Sequence, residues 1–170
     1  MQVLYPPKPS FRLGQLAAHV VVALIALVVI GGATRVMEAG LACPDWPLCY
    51  GSFLPGRQMN LQVFLEWFHR LDAFFVGIVL ITQFAISLYW AKSLPKWLPW
   101  TYGFLTLLVA FQGFLGALTV FQLLPSSVVV AHLAVAFTLV AIMSGVTQQL
   151  LSPGESIFPL WLRSVGFLSL

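Results

Sequence analysis

The sequence predicts an all-α fold: a polytopic, integral membrane four-helix bundle followed by the start of a fifth apolar run. Three observations carry that expectation. The chain is 60% hydrophobic and only 8% charged, where soluble domains carry about a quarter charged residues. Its long stretches without Asp, Glu, Lys or Arg each suffice to cross roughly 30 Å of hydrocarbon as a helix. Between them lie short clusters of proline, glycine and basic residues that break helices. The net charge of +3 is spread over the connections. It forms no basic patch, which removes nucleic acid as a partner class and leaves membrane lipid as the surrounding solvent.

Residues 1–12 form a polar tail with Pro6, Pro7, Pro9, Lys8 and Arg12. The first helix covers about 13–34, and Gly31 and Gly32 mark its far end. This run is too long for the apolar part of a cleaved signal and no small-residue cleavage site follows, so it reads as a retained membrane helix. Residues 35–60 form a loop, because Gly40, Pro44, Pro47, Gly51, Pro55 and Gly56 forbid a long helix. The second helix covers about 61–90, with Glu66, His69, Arg70 and Asp72 all in its first three turns. A short turn with Lys92 and Lys96 leads to helix three, about 100–121. Pro125 separates it from helix four, about 127–151, which Ser152, Pro153 and Gly154 end. Residues 152–170 are a linker and the start of a further apolar segment from Trp161, so residues 13–151 stand as one transmembrane domain.

Orientation follows from lysine and arginine. Lys8, Arg12, Lys92, Lys96 and Arg163 fall on one side; Arg35 and Arg57 share the other with Glu38 and Asp45. The amino terminus is therefore expected in the cytoplasm and the cysteine loop outside. Helices two and four then run in the same direction. His69 lies about eight residues into one and His132 about five into the other. At ~1.5 Å per residue they share a depth to within about a turn, in the outer half of the membrane.

Ionisable groups inside a membrane face the protein interior, pair with one another or bind something. Two interior histidines on co-directional helices suit the axial positions of a haem iron, clamped between facing helices. Ala73 and Gly77 beyond His69, and Ala136 beyond His132, leave room for a flat ring. The competing explanation is a polar contact between helices. His19, near the cytoplasmic face, reads as an interfacial histidine. Glu66, one turn from His69, is either a general base or electrostatic partner, or a carboxylate at a helix start. Arg70 and Arg35, at the outer face, suit haem propionates; Arg70 can instead pair with Glu66, four residues before it. Cys43 and Cys49 enclose Pro-Asp-Trp-Pro-Leu. An oxidising exterior makes them a disulfide, either redox-active or a staple; zinc lacks further ligands nearby. Gln112, Gly113, Gly116 and Thr119 on helix three read as a close helix contact with polar lining.

Gly-Gly-Ala-Thr-Arg (31–35), Gly-Leu-Ala-Cys-Pro-Asp-Trp-Pro-Leu-Cys-Tyr-Gly (40–51) and Glu-Trp-Phe-His-Arg (66–70), in that order, resemble the amino-terminal half of the haem A synthase family. The Leu-Pro at 124–125 and Ala-His-Leu at 131–133 fit the fourth helix of that half, so the resemblance covers nearly the whole chain. The family oxidises the C8 methyl of haem O to a formyl group, through an alcohol, to make haem A for terminal oxidases. Its members resemble two fused four-helix bundles, one binding the haem substrate and the other haem b. The resemblance implies that His69 and His132 hold haem iron, with haem O as substrate or haem b as cofactor. It implies that Glu66 is needed for turnover and that Cys43 and Cys49 form the outer-loop disulfide. It also implies the plasma membrane of a bacterium, haem O synthase as a neighbour, and a second bundle. This chain carries one histidine pair, so that bundle would come from a carboxy-terminal half or a homo-oligomer. The function of another class that the same residues fit is a non-catalytic haem module, a b-type electron carrier or haem chaperone.

Overall fold

The computed structural model describes residues 9–152. Four α-helices follow one another: α1 Pro9–Val36, α2 Leu61–Tyr89, α3 Leu98–Phe121 and α4 Ser126–Leu151. All four are long and apolar enough to cross a membrane. Among the described residues there is no strand beyond an isolated Cys49–Ser52 bridge. The expected segment around Trp161 and the tail up to Lys8 lie outside the described residues.

Helix ends depart from the sequence expectation where terminal prolines and charges are tolerated. α1 begins at Pro9, four residues before the charge-free run, with Arg12 exposed in its first turns. Proline fits a first turn, which leaves N–H groups unpaired in any case. For the same reason α3 begins at Leu98 with Pro99 inside its first turn. α2 starts at Leu61 because the Asn60 side chain caps it, accepting the Val63 N–H at 3.0 Å.

Each helix packs on its chain neighbours, and α1 closes the ring against α4. α2 and α4 therefore stand across the bundle's diagonal. The hydrophobic effect does not press helices together within lipid, so close packing must do so. Gly14 supplies it at one end: a Cβ there would lie 2.9 Å from Leu150 Cβ and from Leu151 Cδ2. The main core fills the end of the bundle near the α2–α3 turn, around Ala17, Leu24, Leu80, Tyr102, Leu105, Leu139 and Met143.

At the opposite end the packing changes. No residue is fully buried from 28 to 33 on α1, from 67 to 75 on α2, from 106 to 114 on α3, or from 126 to 138 on α4. The four gaps form one slab. Above it sits the α1–α2 loop, where Cys43 and Cys49 are buried against Val63. Leu124, in the α3–α4 turn, reaches that loop and lies 3.3 Å from where a Cβ on Gly40 would stand. Leu123 and Leu124 both adopt left-handed φ values, 57° and 61°, and the docking of Leu124 offsets the strain this imposes on a residue with a Cβ.

Candidate functional site

His69 and His132 both lie in the slab, on the diagonal pair of helices. The topmost core residue on α2 below His69 is Val76, seven residues on; on α4 below His132 it is Leu139, also seven residues on. Each imidazole thus stands about 10 Å above the same apolar floor. Both are half-buried, and the Nδ1 atom of each is buried without a hydrogen-bond partner among the described residues. Such atoms are costly inside apolar surroundings.

The small residues that admit these rings come from the neighbouring helices. A Cβ on Gly31 of α1 would lie 3.1 Å from His69 Cε1, and one on Gly116 of α3 would lie 3.5 Å from His132 Cε1. Ala73, expected to leave room on α2 itself, is exposed, and Gly77 borders open space. Gln112, one turn before Gly116, donates from Nε2 to the main-chain carbonyl of His132 at 3.0 Å, while its Oε1 is buried and unpartnered. The sequence singled out Gln112 and Gly116 only as a helix contact; their place beside His132 depends on which face of α3 turns inward. Gly31 was legible as a helix end and as part of the Gly-Gly-Ala-Thr-Arg motif, but not as a neighbour of His69.

Glu66 and Arg70 lie between the histidines and the loop. Glu66 is buried at 5% exposure. One carboxylate oxygen accepts the Cys43 N–H at 2.9 Å; the other is ion-paired with Arg70. Arg70 also donates to the carbonyls of Asp45, Leu48 and Cys43. Buried charge persists only when paired and hydrogen-bonded in this way. Cys43 and Cys49 are disulfide-bonded, and the loop they close is stitched onto α2 through this pair. Asp45 strengthens the stitch, accepting from Tyr50 N–H at 2.6 Å and Gly51 N–H at 2.7 Å. Burial pushes its carboxyl up, but the N–H groups of Gly51 and Tyr50 outweigh that and hold it below the ordinary 3.8.

The other candidates separate. Arg35 is exposed in the last turn of α1, one turn beyond Gly31 and so above His69. His19 is exposed far along α1, its Nδ1 bonded to the Gln15 carbonyl at 2.7 Å; it takes no part in the site. Asp72 is half-buried one turn deeper than His69.

Two imidazoles at one level across a bundle, flanked by glycines and facing a slab without a packed core, fit an edge-on haem. No solved structure matches the chain. A heme A synthase of Shewanella oneidensis is 33% identical over 135 residues, 70% of this chain and 40% of that protein. A heme A synthase of Rhodopseudomonas palustris is 31% identical over 54% of this chain and 33% of that protein. A protoheme IX farnesyltransferase of Haloarcula marismortui is 34% identical over 43% of this chain and 15% of that protein. The chain thus spans two fifths or less of the length of these relatives. The family model for COX15-CtaA, described as cytochrome oxidase assembly protein, matches residues 15–63 and 57–159. With most of its length so matched, the chain is an integral membrane protein of the COX15-CtaA family, and two of the relatives above are named heme A synthase.

Proposed function

We propose that this chain is the haem-binding bundle of a haem A synthase, and that it takes part in oxidising the C8 methyl of haem O to a formyl group. The single observation that carries the proposal is the pair His69 and His132, level with each other above one packed floor. The two imidazoles would hold haem iron, which would supply electron exchange when bound. The glycines at 31 and 116 give the imidazoles room to turn. Arg35, exposed one turn beyond Gly31, is the partner for propionates, since Arg70 would have to release the loop to serve. The loop closes the site from water on the outer side of a bacterial plasma membrane, with the amino terminus in the cytoplasm. Haem O synthase is the expected source of substrate, and a second bundle the expected partner.

Glu66 is the proposed acid–base residue. Taking a methyl group to a formyl passes electrons to an acceptor outside this chain, draws oxygen from water and releases protons, and a nearby carboxylate can accept a proton or stabilise the positive charge that develops beside the ring. Its two bonds leave lone pairs free, because a carboxylate offers about four acceptor sites. Glu66→Gln is nearly isosteric and keeps an acceptor for Cys43 N–H. It should retain haem, while haem A output of the active assembly falls by on the order of a hundredfold. Haem O or the alcohol should then accumulate in the extracted haems, separated by chromatography. Full output from Glu66→Gln would remove the catalytic role. The commitment of Glu66 and Arg70 to the loop would then favour the second reading, a non-catalytic haem module in which the pair is purely a clasp.

A further inference from the structure

A histidine that binds metal through Nε2 carries its hydrogen on Nδ1, and that hydrogen needs an acceptor to fix the ring. His132 Nδ1 is buried and has no partner. Gln112 Oε1 is buried and has no partner either. One atom is a donor lacking an acceptor, the other an acceptor lacking a donor. They belong to side chains already joined, because Gln112 Nε2 donates to the His132 main-chain carbonyl at 3.0 Å. That carbonyl can only accept, so the amide's orientation is fixed and Oε1 is the end left over. The His132 ring lies against α3 at Gln112 and at Gly116, one turn on, where a Cβ would lie 3.5 Å from Cε1. The main-chain carbonyl of Gln112 also faces the ring but already accepts within the helical ladder of α3, whereas the side-chain oxygen accepts from nothing among the described residues.

We propose that Gln112 is the positioning residue for His132: its Oε1 accepts the Nδ1 hydrogen and so presents Nε2 toward the iron. The inference rests on the haem reading above and deepens it. With the amide held, a turn of the His132 ring closes the bond and satisfies two costly buried atoms at once. An acceptor on Nδ1–H also makes the imidazole a stronger donor, which favours ferric iron.

Two substitutions separate this role from a simple clip between α3 and α4. Gln112→Met deletes donor and acceptor at similar volume; Gln112→Glu deletes the donor toward the His132 carbonyl but keeps an acceptor. Haem retention by the purified chain and the reduction potential of the bound haem are read for both. Gln112→Met should release haem on the order of tenfold more readily and raise the potential. Gln112→Glu should restore retention and lower the potential. If both variants lose haem alike, the clip is what matters and the inference fails. If Gln112→Met keeps wild-type retention and potential, it fails as well. A wild-type chain that takes up no haem overturns the haem reading itself, and the inference with it.

Discussion

Gly31 and Gly116 sit against the two imidazoles at different clearances, and that difference is testable. A methyl at Gly31 would lie 3.1 Å from His69 Cε1, closer than nine in ten real contacts, whereas at Gly116 it would lie 3.5 Å from His132 Cε1, an ordinary contact. Gly31→Ala should therefore turn the His69 ring and lower haem occupancy several-fold, while Gly116→Ala keeps it; absorbance of the purified variants reads this. Asp45 gives a pH dependence with a definite sign. Its carboxyl is held below 3.8 in the folded loop by the Gly51 and Tyr50 N–H groups. Its contribution is present above the unfolded value and is lost as pH falls through the lower, folded value. Hydrogen exchange over residues 43–52, corrected for intrinsic rates, should quicken below 3.8, and Asp45→Asn should abolish that step. That the two histidines share a level was legible in the sequence, because the helix starts and the rise per residue set it. The destination of Arg70 was not. Its pairing with Glu66 follows from i,i+4 spacing, but its bonds to the carbonyls of Leu48 and Cys43 span 22 and 27 residues, which no local rule reaches.

The helices obey packing rules of a membrane interior, and Gly14 is where α1 and α4 depend on one. A Cβ at 2.9 Å from Leu150 Cβ cannot be relieved by a flexible tip. Gly14→Val should loosen the α1–α4 seam by about 1–3 kcal/mol, the usual cost of overpacking, measured by unfolding in mixed detergent. An unchanged midpoint would mean that the seam does not carry the bundle. The loop between α1 and α2 tests orientation. In intact cells a membrane-impermeant thiol reagent should label Cys43 and Cys49 only after reduction. Labelling without reduction would remove the disulfide, and labelling only after permeabilisation would invert the topology. Helix number and type were legible because hydropathy and proline punctuate strongly. Helix ends were less so, since a first turn accepts Pro9, Arg12 or Pro99. The extent of the slab was hidden from the sequence, which offered only room beside the histidines: residues 126–138 of α4 are as apolar as those of the floor, and only packing shows that none is fully buried.

At the scale of the molecule, the bundle divides into a packed floor and a slab lidded by a disulfide loop. The floor holds the helices in register; the slab offers imidazoles at matched depth. That division makes haem binding through His69 and His132 the central claim, and spectroscopy of the purified chain tests it most directly. Optical and electron paramagnetic resonance spectra should show one low-spin haem with two histidine ligands. His69→Ala and His132→Ala should each abolish or convert that signal, and His19→Ala should leave it intact. A haem signal that survives His132→Ala but disappears with His19→Ala would contradict the pairing, and a chain purified without haem that takes none up would contradict the claim itself.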